Sequence, residues 1–166
     1  MTELDLLIDL HVRNARQGPG GDEQTRQALV MAGLTPSPDL AVADLGCGTG
    51  AASLVLARDL GARVTAIDAA EPFIDRLRER AEAEGLADRI DARVGFMEEL
   101  PFAESSLDLI WSEGAIYNLG FAAGVRAWRP LLRPGGVLAV TEMSWTSRHR
   151  PPAVAAHWAE AYPTMG

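Results

Sequence analysis

This sequence is short of cysteine, of histidine, of net positive charge and of long apolar runs, and each shortage removes a class of protein. Cys47 is the single cysteine among 166 residues, so no internal disulfide can form. Three scattered histidines, His11, His149 and His157, do not supply zinc-ligand spacing with it. Fifteen Lys+Arg stand against 23 Asp+Glu, a net charge of −8. Nucleic acids and anionic membrane surfaces would repel such a chain. No apolar run approaches the roughly 18 residues of a membrane span. The opening MTELDLLIDL has no basic region, and Asp5 and Asp9 interrupt its apolar residues, which argues against a secretory leader. These absences predict a soluble, reduced, cytoplasmic protein with no metal, membrane or nucleic-acid partner. What is present is a globular balance, 48% hydrophobic and 23% charged. One domain of this size hides roughly 68–70% of its unfolded surface without needing disulfides or metal.

Residues 3–15 carry Leu4, Leu7, Ile8 and His11 at helical spacing. The run Gly18-Pro19-Gly20-Gly21 breaks that helix, and Asp22 reads as the N-cap of a second one through Leu29 and Ala32, closed by Gly33. Beyond Pro36 and Pro38 the pattern changes, dividing a single domain into a helical cap (1–39) and a core (40–166). In the core, short apolar runs alternate with amphipathic segments. Strands are expected at Leu40–Leu45, Arg63–Ile67, Ile90–Val94, Leu107–Ser112 and Val137–Glu142. Helices are expected at Ala51–Leu60, from Pro72 to Gly85 with Phe73, Ile74, Leu77 and Ala81 on one face, around Ala122–Leu132, and at Pro152–Tyr162. Arg133-Pro134-Gly135-Gly136 reads as a turn. This alternation predicts an α/β protein, a doubly wound Rossmann-like parallel sheet in the order 3-2-1-4-5. Ligands of such sheets bind beyond the C-terminal ends of the strands, where Asp44–Gly50, Asp68, Phe96-Met97, Glu113 and Glu142 fall.

Asp44-Leu45-Gly46-Cys47-Gly48-Thr49-Gly50 joins the first strand to a helix, and its glycines let a ligand approach the backbone. Gly46-x-Gly48-x-x-Ala51 alone is a weak fingerprint. Asp68 strengthens it, because a carboxylate at the end of the second strand can accept both hydroxyl protons of a ribose. Its competing role, capping the helix near Pro72, is better filled by Glu71. Asp44 would repel a pyrophosphate seated on the loop and suits a ligand with a cationic part. S-adenosylmethionine carries a sulfonium and an ammonium and no phosphate.

Asp44-x-Gly46-x-Gly48-x-Gly50 resembles the first motif of class I S-adenosylmethionine-dependent methyltransferases, and Asp68 their acidic second motif. Gly95-Phe96-Met97-Glu98-Glu99-Leu100-Pro101-Phe102 resembles the segment that flanks the adenine, and Leu131–Gly136 the turn before the fifth strand. Arg16–Gly20, Trp111–Asn118 and Ser144-Trp145 are similar to a bacterial subgroup of small-molecule methyltransferases. The resemblance runs from about residue 6 to residue 163. It implies that the backbone of Gly46, Cys47 and Gly48 lies along the methionine part of the cofactor. Asp44 would sit near the ammonium or hold the loop through water. Asp68 would hold the ribose, with Ala69 against the adenine and the Met97 backbone at the adenine edge. Ser112 and Glu113 would close over the methionine end, and the Arg16–Gly21 turn, with Gln17 and Gly18, would form a lid or a plain interhelix turn. Many members carry a polar residue where this chain has Phe96, which then packs on the adenine or turns into the core. Members also carry a sixth and a seventh strand. The resemblance implies that the sequence to Gly166 lacks this pair and leaves the fifth strand as an edge; its apolar run Val137–Thr141 then predicts either self-association near that strand or a fragment of marginal stability, with the terminal helix of Val154, Trp158 and Tyr162 covering one face of the sheet.

Methyl transfer needs a general base only if the acceptor must lose a proton. Glu113 and Tyr117 are the catalytic candidates, as base and as acceptor-positioning group. Glu113 reads equally as a helix cap. Glu142 is a second candidate base and reads slightly better as a solvated strand end. Cys47 reads as a small loop residue with no base aimed at it. Trp111, Trp128 and Trp145 read as core or pocket wall. The expected activity is transfer of a methyl group to a small molecule. The alternatives are a module that binds S-adenosylmethionine without turnover and a nicotinamide oxidoreductase, the latter disfavoured by Asp44.

Overall fold

The computed structural model describes residues 3–163. Two helices, α1 (Glu3–His11) and α2 (Asp22–Ala32), precede an alternating series. It runs β1 (Ala41–Leu45), α3 (Ala51–Leu60), β2 (Arg63–Asp68), α4 (Glu71–Ala83), β3 (Ile90–Val94), β4 (Leu107–Ser112), α5 (Phe121–Trp128), β5 (Leu132–Val140) and α6 (Pro152–Ala161). The five strands form one parallel sheet in the order β3-β2-β1-β4-β5, as the alternation predicts. The order reverses between β1 and β4, so the loop after β1 opens into the crevice at the switch point.

The two-residue period of the strands sorts their side chains onto two faces. Val42, Val64, Ala66, Leu109 and Trp111 pack with α3, α4 and Leu29 of α2. Ala43, Leu45, Ile67 and Ile110 face the other way and pack with Ile116 and Trp128. Every residue of α3 except Arg58 and Asp59 is buried, because Ala51, Ala52, Ser53 and Ala57 let the helix lie close to the sheet. By contrast α4 buries only the stripe Ile74, Leu77 and Ala81, the face its sequence pattern marks.

Some boundaries differ from the sequence reading, for local reasons. The helix expected over 3–15 stops at His11, because residues 14–17 leave it to make contacts with the loop after β1. Gly21 is the N-cap of α2, and Asp22 instead pairs with Arg16 at 3.3 Å. Ala70, not Glu71, caps α4. The helix expected at Ala122–Leu132 ends at Trp128 and gives way to a 3-10 turn at Arg129–Leu131, where Pro130 has no N–H to continue it. The expected turn Arg133–Gly136 lies inside β5. Leu132 pairs with Leu107, and the next paired residue, Val137, meets Leu109. Pro134, lacking an N–H, and Gly135, with φ of 85°, form the bulge between them. No residue of α6 is buried, and its Val154 is exposed, so this helix gives the sheet little cover. Among the described residues no helix is long and apolar enough to cross a membrane.

Candidate functional site

The loop after β1 is drawn onto the end of β2. Gly46 N–H and Cys47 N–H both donate to the Ile67 carbonyl, at 2.8 and 3.1 Å. Its glycines are required sterically as well as conformationally. A Cβ on Gly46, at φ 72°, would stand 2.2 Å from Ala115 Cβ. One on Gly48, at φ 54°, would stand 2.3 Å from Gln17 Oε1. The loop is thus walled by the segment after β4 on one side and by the α1–α2 connection on the other.

Asp68, half-buried at the end of β2, accepts from Gly48 N–H at 2.8 Å and from Ala70 N–H at 2.9 Å. Each carboxylate oxygen therefore spends one acceptor site on the backbone and keeps another. Beside it Ala69 is exposed, and so is Phe96, at 64%; Phe96 does not turn into the core. Met97 is half-buried, and its carbonyl accepts from the indole N–H of the fully buried Trp128 at 3.1 Å. An aromatic side chain of the second core layer thereby sets the backbone at the rim of the site.

Asp44 is buried at the end of β1, and Ser53 Oγ of α3 donates to it at 2.6 Å. Burial pushes its carboxyl up to about 7, against the Ser53 bond and the Arg16 charge, with Glu113 and Asp68 adding repulsion. Between the ordinary carboxylate range and about pH 7 the folded chain therefore binds a proton that the unfolded chain has released. This contribution to stability is full below the unfolded value and is lost as pH rises to about 7. Asp44→Asn is expected to flatten the pH dependence of urea unfolding between pH 4 and 7. An unchanged slope would remove Asp44 as its source.

Cys47 is buried, and burial pushes its thiol up, so it holds no thiolate for nucleophilic chemistry. Buried Ser112 donates to the Leu45 carbonyl at 2.8 Å and ties the end of β4 to β1. Glu113 follows it. One of its oxygens accepts from Trp111 Nε1 at 2.9 Å and Thr25 Oγ1 at 2.8 Å, and the other from Arg16. Tyr117 is exposed, edge-on to Tyr162 at 6.3 Å between ring centroids. Glu142 follows β5 half-buried. One oxygen accepts from Met143 N–H, and the other is buried with no hydrogen-bond partner among the described residues. Trp145 lies under the Arg150 guanidinium at 4.9 Å. Among the described residues no three His, Cys, Asp or Glu side chains are placed to share a metal ion.

The sequence reading placed Gln17 at the site without its partner, and missed Thr25, Ser53 and Arg80, the other side chains that fasten these parts together. Gln17 Nε2 donates to Thr49 Oγ1, and Gln17 Oε1 accepts from Thr49 N–H, both at 3.0 Å. Arg80 of α4 donates to the carbonyls of Ala15 and Thr49, each at 2.8 Å. Partial burial of this guanidinium lowers its pKa. Thr25 and Ser53 are polar residues buried on helices, and each bonds a carboxylate of the site. These contacts join residues 9 to 88 positions apart, and no motif marks them.

The strand order and the alternation of strands and helices define a Rossmann-like α/β domain. Residues 42–136 match the family model described as Methyltransferase domain. The chain belongs to that family. It is 34% identical over 139 residues to a glycine/sarcosine/dimethylglycine N-methyltransferase of Actinopolyspora halophila, covering 81% of this chain and 24% of that protein. It is 35% identical over 128 residues to a ubiquinone/menaquinone biosynthesis C-methyltransferase of Cereibacter sphaeroides, covering 75% and 51%. Among solved structures, a methyltransferase from Geobacter sulfurreducens in complex with S-adenosyl-L-homocysteine superposes with a TM-score of 0.77 at 25% identity, over 94% of this chain and 61% of that one. YjhP from Escherichia coli superposes with a TM-score of 0.80 at 23% identity, over 91% and 61%. The chain thus spans between a quarter and about three fifths of the proteins it matches.

Proposed function

We propose that this chain forms the cofactor-binding core of an S-adenosylmethionine-dependent methyltransferase that acts on a small molecule. The observation that carries the reading is the loop of Gly46 and Gly48, both at positive φ at the C-terminal end of β1, with the spare acceptor sites of Asp68 beside it. Membership of the methyltransferase family and the adenosylhomocysteine-bound neighbour support it. Asp68 bonds the loop backbone, and Asp44 at the end of β1 ionises only near pH 7, so a cationic ligand would be favoured there by holding the Asp44 carboxylate in its charged form.

S-adenosylmethionine would supply a methyl group already activated by its sulfonium. The chain's task is then to hold the parts in line and exclude water. The backbone of Gly46, Cys47 and Gly48 would run along the amino-acid part, with Asp44 beneath it. Asp68 would accept from the ribose hydroxyls. Ala69 and Phe96 would flank the adenine, with the Met97 backbone at its edge. Gln17, Gly18, Ser112 and Glu113 would close the methionine end, and Tyr117 would position the acceptor. Glu142, with one carboxylate oxygen unpartnered among the described residues, is the group better placed to take a proton from an acceptor that must lose one. The acidic composition supports a small acceptor in preference to nucleic acid, and the lone cysteine and the absence of a long apolar run in the sequence support a cytoplasmic setting. Isothermal titration is expected to show binding of S-adenosylmethionine and S-adenosylhomocysteine and none of NAD. The reverse preference would overturn the reading.

A further part of the proposal concerns the sheet edge. Among the described residues β5 pairs only with β4, and the stretch from Val137 to Thr141 at its C-terminal end carries no Pro, Lys or bulge. Such an edge is a template for another strand. Prepared alone, the 166-residue chain is expected to associate through β5 and to elute as a dimer or larger in light scattering. A stable monomer at high concentration would show that this edge is not adhesive.

A further inference from the structure

The α1–α2 connection is fastened to the glycine loop at one end and to the end of β4 at the other. At the first end, Thr49 Oγ1 donates to the Asn14 carbonyl at 2.9 Å. Gln17 exchanges two bonds with Thr49, and its amide also donates to the carbonyls of His11 and Asn14, both at 3.1 Å. Arg80 bridges the strap and the loop from beneath. The Gln17 carboxamide consequently sits in the space that a side chain at Gly48 would fill.

At the second end, Arg16 reaches to Glu113 and also donates to Thr25 Oγ1 at 3.0 Å. The pair is largely shielded from solvent, at 14% exposure for the Arg16 side chain and 19% for that of Glu113. Ion pairs at the surface contribute little, but breaking a shielded one leaves a charge without its partner. Three donors, from Arg16, Thr25 and Trp111, fill about three of the four acceptor sites a carboxylate offers. These donors come from the strap, from α2 and from β4, so Glu113 is the point where the three elements are joined.

We propose that Glu113 is a positioning residue, which latches Arg16 and thereby holds the Asn14–Gly18 strap closed over the glycine loop, and that it is not the proton acceptor of methyl transfer. The inference rests on the cofactor reading above for its effect on ligand exchange, and on the strap geometry alone for its effect on the free protein. Entry and exit of the ligand then require the strap to open, and the Arg16–Glu113 pair sets how often it does.

The test uses Glu113→Gln, Arg16→Met, the double variant, and the exchange Arg16→Glu with Glu113→Arg. Two quantities are measured: the rate at which trypsin cleaves after Arg13 in the free protein, and the rate at which S-adenosylhomocysteine dissociates. Each single variant is expected to speed both by at least about tenfold, the loss of a charge-assisted hydrogen bond. The double variant is expected to exceed neither single, and the exchanged pair to recover part of the effect. Wild-type rates in Glu113→Gln, or additive effects in the double variant, would overturn the latch. Should Glu113→Gln fail to fold, Arg16→Met decides by the same two rates. Failure of the wild-type chain to bind S-adenosylhomocysteine would overturn the proposed function instead, and cleavage after Arg13 would still decide the latch.

Discussion

Asp68→Ala is expected to weaken S-adenosylmethionine binding by about 1.5–3 kcal/mol, roughly 10- to 150-fold. Each oxygen of this carboxylate already holds one backbone N–H, from Gly48 and from Ala70, and keeps one acceptor site facing outward. The substitution therefore removes the proposed ribose contacts and also the tie between β2 and the glycine loop. Asp68→Asn separates the two effects. Its remaining carbonyl oxygen can keep one backbone bond, while its NH2 cannot accept a ribose proton. Calorimetry should show most of the loss in both variants, with thermal unfolding lowered mainly in Asp68→Ala. Wild-type affinity in a folded Asp68→Ala protein would remove Asp68 from the site.

Gly46→Ala is expected to cost the fold heavily. The added Cβ would stand 2.2 Å from the Ala115 Cβ, and φ at this position is 72°, where L side chains are strained. The left-handed conformation costs roughly 1–2 kcal/mol, and forcing atoms into a filled space typically costs about 1–3 kcal/mol more. Ala115 has no rotamer through which to withdraw, so the backbone after β4 must move. Urea unfolding should show a loss of about 2–5 kcal/mol, with cofactor binding lost in whatever remains folded. Gly18 is the control: a Cβ there meets nothing within 4 Å, so Gly18→Ala should leave stability close to wild type. Equal stability of Gly46→Ala and wild type would mean that the loop yields more readily than its packing implies.

Much of the fold was legible because it follows from local periodicity. The alternation of Val42, Asp44 and Ala43, Leu45 across the two faces of β1 is written in the order of residues, and so is the buried stripe Ile74, Leu77, Ala81 of α4. The strand order followed from the chirality of parallel crossovers, which leaves few alternatives. Boundaries were less legible where a backbone group found its partner far away. The first helix ends early because residues 14–17 bond Thr49 and Arg80, and β5 begins early because Leu132 finds Leu107 before the Pro134–Gly135 bulge.

The sequence by itself determined the kind of sheet, the place of the glycine loop and the acid that stands beside it, because each depends on residues close together in the chain. Only the tertiary structure decided what Glu113 does. As a residue after a strand it reads equally as base or helix cap. In the fold it meets Arg16 and Thr25, which lie 97 and 88 positions away, and becomes the anchor of the strap. The state of Asp44 was decided in the same way. Its carboxyl is pushed to about 7 because α3 and the sheet shut out water around it, and desolvation is a property of the assembled packing that no single stretch of sequence carries.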